Sequence, residues 1–279
     1  MLKILKWIFR IIILLIIAAG LLYIYARHVE PFWLAENEIS LSNTDTANTD
    51  SLKIGIFSDT HFGEYYSVDN FEKVVEKMNA AKPDVIVFLG DLIDDFNRYT
   101  GDTEKISEAL ARLEAPLGKF AVYGNHDYGG GAQHEYKDIM ASGGFSVLVN
   151  EYIMLDEYNI AITGIDDFII GYGDTVAANY APSDSYNVIL CHEPDFINTL
   201  LDYNTDLMLA GHTHGGQINI PYYINDFLPP FGQNYLRGQF EFQNDQNTVL
   251  YVNSGIGMTK LPFRFFARPE ITYVTVTPK

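Results

Sequence analysis

The sequence contains a single cysteine, Cys191, and only half as many basic as acidic residues. One cysteine cannot form an internal disulfide, and it cannot supply a metal site built from several thiolates. Lysine and arginine number 18 against 36 aspartates and glutamates, which gives a formal net charge of -18. Such a chain lacks the clustered positive charge that binds a polyphosphate backbone, so we expect no nucleic acid among its partners.

The composition instead suits one large α/β domain, since the chain has 279 residues of which 48% are hydrophobic. Neither repeats nor low-complexity tracts occur. The acidic surplus is compatible with a phosphorylated substrate, because aspartates that hold divalent cations contribute to it and the bound cations reverse the local field.

An uncharged stretch near the N-terminus runs from Ile11 to Ala26, and the apolar run begins at Trp7 if Arg10 extends toward the lipid surface. About 18–20 helical residues suffice to cross a bilayer, so residues 1–35 are predicted to form a membrane anchor and its flank. A cleaved secretory signal is the alternative, because Ala18-Ala19-Gly20 resembles a cleavage site.

Charges on either side of this stretch predict its orientation. Three basic residues come before it and three glutamates after it: Lys3, Lys6, Arg10, Glu30, Glu36 and Glu38. The positive-inside rule then predicts a single-pass protein of the cell membrane with a cytoplasmic N-terminus and the rest of the chain outside. Residues 36–51, rich in Asn, Asp, Ser and Thr, favour a linker or the lead-in to an edge strand. The folded domain is therefore expected to cover residues 52–279.

Five apolar segments in this domain are predicted strands, and each runs directly into Asp, Asn or His. They are Leu52–Phe57, Val85–Leu89, Phe120–Tyr123, Val188–Cys191 and Leu207–Ala210. Helical spacing separates the first three, and the carboxyl ends of strands are where sites assemble in α/β sheets. Shorter predicted strands are Ser146–Val149, Tyr152–Leu155, Ile160–Thr163, Tyr251–Val252 and Ile271–Val274, the last two closing a second sheet. The predicted fold is a four-layer αββα sandwich of two mixed sheets flanked by helices.

The polar residues at the strand ends combine carboxylate, imidazole and amide oxygen. This mixture favours Mn, Fe or Zn over a thiolate metal or an all-oxygen calcium site. Asp91 follows a glycine at a strand end, which makes it a candidate to bridge two ions about 3.5–4 Å apart. Taken singly, each residue has an ordinary explanation as a helix cap, a turn residue or a packed histidine. Only their joint occurrence predicts a metal site.

The motifs Asp59-x-His61, Gly90-Asp91-x-x-Asp94, Gly124-Asn125-His126-Asp127, His192 and Gly211-His212-x-His214 occur in this order. Together they resemble the calcineurin-like metallophosphoesterase superfamily, over residues 59 to 214. The Gly211–Gln217 ending, in a chain with an apolar N-terminal segment, is similar to the bacterial, membrane-anchored YkuE/YaeI-type branch.

This resemblance implies two divalent transition metal ions (Mn, Zn or Fe) as cofactors, held at two sites that share Asp91. One site would use Asp59, His61, Asp91 and His214, and the other Asp91, Asn125, His192 and His212. A hydroxide bridging the ions would attack phosphorus, while His126, oriented by Asp94, stabilises the transition state or protonates the leaving group. The chain would then hydrolyse a phosphodiester or a diphosphate. A phosphomonoesterase, or a surface-binding protein that has lost catalysis, remains the alternative.

The substrate is less strongly indicated. The segment from Ile218 to Phe240 could form a lid or an apolar groove through its apolar residues Tyr222, Tyr223, Phe227, Leu228, Phe231 and Tyr235. Arg98, Arg237 and Arg264 are candidates to grip a phosphate, and Leu261–Arg268 is a candidate lipid contact, with core packing as the alternative for both segments. The resemblance includes hydrolases of nucleotide-linked lipid precursors, which favours a lipid-linked substrate near the membrane. Such precursors are cytoplasmic, however, whereas the charge rule places the domain outside.

Overall fold

A computed structural model describes residues 2–43, 51–220 and 228–278 of the chain. Its α-helices are α1 (Leu2–Ile24), α2 (Val68–Ala81), α3 (Thr103–Ala111), α4 (Asn125–Gly129), α5 (Glu135–Ser142) and α6 (Ile197–Leu200). Helix α1 continues into a π-helical turn at Tyr25–Val29 and a 3-10 turn at Glu30–Phe32.

The strands form two six-stranded sheets. In chain order they are β1 (Ala35–Asn43), β2 (Leu52–Phe57), β3 (Val85–Phe88), β4 (Lys119–Ala121), β5 (Ser146–Val147), β6 (Glu151–Leu155), β7 (Ile160–Gly164), β8 (Tyr186–Leu190), β9 (Leu207–Ala210), β10 (Gly238–Glu241), β11 (Val249–Val252) and β12 (Glu270–Pro278). The first sheet has the order β1-β12-β2-β3-β4-β5 and the second β10-β11-β9-β8-β7-β6. Both sheets mix parallel and antiparallel pairs, which confirms the predicted architecture.

Four layers result from the way in which apolar side chains alternate along the strands. Ile54 and Val87 of the first sheet face Ile162 and Leu209 of the second in a core between the sheets. The outer face of the first sheet packs against α2, α3 and α5, with Phe71 among the buried side chains. The outer face of the second sheet is covered by α6 and neighbouring turns. Strands covered on both faces explain why their sequences read as continuous apolar runs.

Strand β12 lies in the first sheet, so the prediction that Ile271–Val274 helps to close the second sheet is wrong. The strand pairs antiparallel with β2 and parallel with β1. Ile271 and Tyr273 pack into the outer core, while Val274 packs between the sheets. Apolar residues on both faces identify a strand that is covered on both sides, but they do not show to which of the two sheets the strand belongs.

The segment that composition favours as a linker begins with strand β1. Residues 35–43 pair with β12 in register over the whole strand, from Ala35 opposite Glu270 to Asn43 opposite Pro278. For this part the edge-strand interpretation applies and the linker interpretation is corrected, because the backbone hydrogen bonds of β12 hold the segment in the sheet. Residues 44–50 lie outside the described residues.

Helix α1 is the one helix in the described ranges that is long and apolar enough to cross a membrane, by length and composition. From Lys3 to Ile24 its residues are exposed, so it does not pack into the core of the domain. The turns that follow it do contact the domain, and the buried Glu30 accepts a hydrogen bond of 2.6 Å from the backbone of Ala267.

Candidate metal centre

Each predicted metal ligand lies just beyond the carboxyl end of a strand. Asp59 and His61 follow β2, Asp91 follows β3, and Asn125 follows β4 at the start of α4. The remaining three follow the adjacent strands β8 and β9 of the second sheet: His192, His212 and His214. Six of these seven residues are almost completely inaccessible to solvent, and Asn125 is half-buried. The packing of the two sheets thus brings the ligands together at one edge of the sandwich.

One group of potential ligand atoms comes from Asp59, His61 and His214. The Nε2 atoms of His61 and His214 are 3.0 Å apart, and His214 Nε2 is 3.5 Å from Asp59 Oδ1. Two imidazole nitrogens and a carboxylate oxygen at these separations are close enough to coordinate one transition metal ion together.

A second group comes from Asp91, His192 and His212. His192 Nε2 lies 3.3 Å from Asp91 Oδ2, and the rings of His192 and His212 are 4.8 Å apart. The same Asp91 Oδ2 lies 3.4 Å from Nε2 of His61, which belongs to the first group. One carboxylate oxygen therefore stands between the two groups, as the bridging interpretation requires.

Hydrogen bonds to backbone carbonyls determine which ring nitrogen of His192 and of His212 faces the centre. Carbonyl oxygens can only accept, so His192 Nδ1 donates to Leu89 O at 2.6 Å and His212 Nε2 donates to Pro230 O at 2.9 Å. In the neutral form of each ring, these bonds leave the lone pairs of His192 Nε2 and His212 Nδ1 free. Outer partners of this kind hold metal-binding histidines in one tautomer.

The donor set fits a metal in two further respects. Asn125 Oδ1 and His192 Nε2 are both buried and have no hydrogen-bond partner among the described residues. A buried acceptor without a partner costs free energy, and coordination to a cation would remove that cost for each atom. Glycine allows the close approach: a Cβ on Gly211 would lie 2.6 Å from Asp59 Oδ2.

The backbone at the centre is unusual, because five of the seven predicted ligands adopt positive φ. They are Asp59, His61, Asp91, His212 and His214, with φ between 41° and 73°. The left-handed region costs a residue with a side chain about 1–2 kcal/mol. Such conformations persist only where the surroundings dictate them, and they cluster at functional sites.

Electrostatics at the centre favour positive charge. Burial by itself would raise the pKa of Asp91, but the charges of His192 and His126 outweigh it and hold the pKa well below its usual range. Burial also opposes the charge on His61, yet hydrogen bonds with Asp91 and Asp94 raise its pKa to about 9. Burial and the charge of His192 lower the pKa of His212 to about 3. Asp91 thus stays charged and favours cations beside it, whereas burial raises the pKa of Asp59. The low pKa of His212 keeps that ring a neutral donor.

His126 borders the centre and retains access to solvent. Its ring lies 4.6 Å from that of His61, and about a quarter of its side chain is exposed. The partner of its Nδ1 is the backbone oxygen of Asp94 at 2.6 Å, whereas the Asp94 carboxylate is 3.7 Å away and lies 3.1 Å from His61 Nδ1. Asp94 thus contacts His126 chiefly through its main chain and His61 through its side chain.

Asp127 belongs to a quoted motif, but sequence reasoning assigned it no role. Its fully buried carboxylate accepts hydrogen bonds from the backbone N–H groups of Asp91, Leu92 and Gly124 at 2.8–2.9 Å. It therefore joins the loop after β3 to the loop after β4. Asp127 gives little signal in a sequence, because two of the three donors it binds come from the loop after β3, about 35 residues away.

Asp127→Asn is expected to lower the free energy of unfolding by about 1–3 kcal/mol, since the amide NH2 must face a backbone N–H. We also expect the affinity for Mn²⁺ to fall by about 10–100-fold, because both loops carry ligands. Denaturant unfolding in chelator measures the first effect and metal titration the second. The exposed Asp245→Asn serves as the control, and equal values for both variants would refute this role.

The three arginines proposed to grip a phosphate lie in different environments. Arg264 is fully buried and donates to the carbonyls of Gly257, Ser254 and Ala267 at 2.7–3.0 Å, which corrects its proposed role because these donors are already used. Arg98 is 87% exposed and pairs with Asp95, and Arg237 donates to Phe266 O. Of the proposed aromatic lid, residues 221–227 lie outside the described residues.

Phe231, a residue of the proposed aromatic lid that the structure describes, lies next to the hydrogen-bond partner of His212 and contacts a further aromatic ring. The rings of Phe168 and Phe196 stack at 3.6 Å, and Phe231 contacts Phe196 at 4.8 Å. Phe231 directly follows Pro230, whose carbonyl holds His212. Its side chain is 44% exposed and its φ is 62°, so the loop presents an aromatic ring to solvent in a strained conformation.

Comparison with known proteins agrees with the geometry. A model of the calcineurin-like phosphoesterase family matches residues 52–216. The metallophosphoesterase YkuE of Bacillus subtilis is 40% identical over 265 residues, which cover 93% of this chain and 91% of YkuE. LpxG of Chlamydia muridarum, a UDP-2,3-diacylglucosamine pyrophosphatase, is 28% identical over 317 residues, covering 92% of this chain and 93% of LpxG.

Among solved structures, the NAD nucleotidase NadN of Haemophilus influenzae has the same fold, with a TM-score of 0.50 at 13% identity. The similarity covers 74% of this chain and 46% of the longer nucleotidase. The family model covers more than half of the chain and includes every residue in the two groups of potential ligands. The chain therefore belongs to the calcineurin-like phosphoesterase family.

Proposed function

We propose that this metal-dependent phosphoric ester hydrolase binds two divalent transition metal ions and cleaves a phosphodiester or a diphosphate in a lipid-linked substrate. The observation that carries the proposal is the position of Asp91 Oδ2, 3.4 Å from His61 Nε2 and 3.3 Å from His192 Nε2. A carboxylate oxygen shared by two groups of donors suits a pair of ions better than a single ion.

The proposed ligands remain those that the resemblance implies: Asp59, His61, Asp91 and His214 for one ion, and Asp91, Asn125, His192 and His212 for the other. Ions bound there supply a Lewis acid that activates water and offsets charge on the phosphoryl oxygens. His126 is proposed to act on the leaving group, because Asp94 O holds its Nδ1 and leaves Nε2 on the accessible side.

A lipid-linked substrate is supported by two independent features. The related LpxG is named as a pyrophosphatase of UDP-2,3-diacylglucosamine, a diphosphate that carries two acyl chains. Helix α1 also has the length and composition of a membrane span, and we propose that it anchors the domain beside the bilayer. If the positive-inside rule decides the orientation, the domain lies outside the cytoplasm, and a phosphodiester of the cell envelope then fits better than a nucleotide-linked precursor.

The proposal is tested by assaying the detergent-solubilised full chain with bis(p-nitrophenyl) phosphate and with p-nitrophenyl phosphate. Each assay is run with Mn²⁺ and with chelator, and bound metal is counted by elemental analysis. We expect hydrolysis of the diester that requires Mn²⁺, faster than hydrolysis of the monoester, with two ions per chain.

Two results would favour the other interpretations. Faster cleavage of the monoester would indicate a phosphomonoesterase and remove the support for a lipid-linked diester. Metal-loaded protein that hydrolyses neither compound nor a lipid diphosphate would indicate a surface-binding protein that has lost catalysis.

A further inference from the structure

Residues 259–268, part of the loop that connects β11 to β12, contact both the end of helix α1 and the backbone of the predicted ligand His214. Phe263 packs edge-on against Tyr23 at 5.6 Å, and Phe265 against Tyr25 at 6.4 Å. The backbone N–H of Arg264 donates to Ala26 O at 3.0 Å. The anchor is therefore docked on this loop by rings and backbone at the point where it leaves the predicted span.

On its other side the same loop is bonded to the backbone that follows the metal ligands. Gln217, three residues after His214, donates from Nε2 to the carbonyls of Thr259 and Leu261 at 2.9 and 3.0 Å. Asn219 N donates to Phe265 O at 2.8 Å. These bonds fix the position of the metal centre relative to the anchor.

Large apolar side chains are exposed on these two segments. Leu261 and Phe266 are 51% and 60% exposed, and Ile220, on the segment after Gln217, is 45% exposed. Tyr23 lies near the end of a span of about 20 helical residues, which is the depth of the lipid headgroups, where aromatic residues concentrate. Phe263 packs on Tyr23, and the exposed Leu261 and Phe266 lie two and three residues from Phe263 on the same loop.

Basic residues surround this apolar surface, although the chain as a whole carries a net charge of -18. Lys260 precedes Leu261, and Arg268 lies over the Trp33 ring at 4.2 Å. Arg237 and Arg268 line a cleft of about 490 Å³ beside Tyr25 and Phe266, and the two glutamates of this cleft, Glu30 and Glu270, are buried. Positive charge next to exposed apolar side chains matches an anionic lipid surface, whose attraction acts on lysine and arginine near the headgroups.

We infer that residues 218–220 and 259–268 form a membrane-seated surface, which rests on an anionic bilayer and holds the metal centre next to it. The inference depends on the proposed anchoring by α1 and is independent of which phosphoester is cleaved. This surface gives the protein a second contact with lipid besides α1, which restricts rotation of the domain relative to the membrane. Substrate then reaches the metal centre from the lipid surface.

The test places an environment-sensitive fluorophore on single cysteines introduced into the full chain in vesicles that contain anionic lipid. Leu261→Cys and Phe266→Cys report on the surface, Ile17→Cys on insertion of α1, and the 86% exposed Tyr172→Cys serves as an aqueous control. Native Cys191 is fully buried and therefore inaccessible to the labelling reagent. Lipids carrying a shallow nitroxide quencher report the depth of each label.

We expect blue-shifted emission and strong quenching at positions 261 and 266, and neither at position 172. Lys260→Glu should reduce quenching at position 266 in anionic vesicles, while Lys105→Glu on helix α3 should leave it unchanged. Blue-shifted emission at position 17 with labels at 261 and 266 that resemble position 172 would overturn the inference and leave the anchor intact. A label at position 17 without blue-shifted emission would refute the anchor and, with it, the surface.

Discussion

Asp91→Ala is expected to abolish metal-dependent hydrolysis and to reduce binding of both metal ions at once. Its Oδ2 lies 3.4 Å from His61 Nε2 and 3.3 Å from His192 Nε2, so one substitution removes a donor from each group. Losing an outer partner of a metal ligand costs about 10–100-fold in affinity or activity, and the loss of a shared ligand should exceed this. The measurements are kcat/KM for bis(p-nitrophenyl) phosphate and the metal content per chain.

Asp91 also accepts a hydrogen bond from the backbone of His126, at 2.8 Å to Oδ1, so alanine disturbs the neighbouring loop as well. Asp91→Asn is therefore the matched variant, because its amide oxygen retains this bond and loses the negative charge. The exposed Asp245→Ala controls for the loss of an acidic residue elsewhere. Full activity and full metal content in Asp91→Asn would show that the carboxylate does not bridge two ions.

Much of this centre was predictable because its ligands follow strands that hydrophobicity identifies. The runs that end at Phe57, Phe88 and Ala210 are covered on both faces, and such strands stand out in a sequence. The parallel strands of each sheet align their carboxyl ends, which carries residues as distant as Asp59 and His214 to the same edge. The proposed assignment of ligands to the two ions came from the resemblance that the order of the motifs carries, because the spacing of the residues alone does not give it.

Sequence patterns did not predict contacts between distant segments. Arginine chemistry suggested that Arg264 binds phosphate, yet the structure buries it among carbonyls of its own loop. The tautomer of His212 depends on Pro230, 18 residues away, and β12 could have joined either sheet. Positive φ at Asp91 and His212 likewise follows from the packing of loops, because local propensity disfavours it.

His126→Gln is expected to lower kcat by about 10²–10⁴-fold while metal content stays at the wild-type level. His126 is outside both proposed ligand sets, and its side chain is 24% exposed at the edge of the centre. With Nδ1–H donated to Asp94 O, Nε2 is the nitrogen through which the imidazolium form of His126 could give a proton to a leaving oxygen. Steady-state kinetics and elemental analysis of the same preparation separate catalysis from metal binding.

A role in protonating the leaving group makes a sharper prediction than loss of activity alone. A phenol that leaves readily needs little protonation, so His126→Gln should impair cleavage of a bis(p-nitrophenyl) ester less than that of an unactivated alkyl or phenyl diester. His134→Gln, at an exposed position outside the centre, controls for removal of a histidine. If His126→Gln slows activated and unactivated diesters equally, the imidazole acts on charge at the phosphoryl group and not on the leaving oxygen. If metal content falls together with kcat, His126 instead belongs to the donor set, as its clustering with His61 and Asp91 would then require.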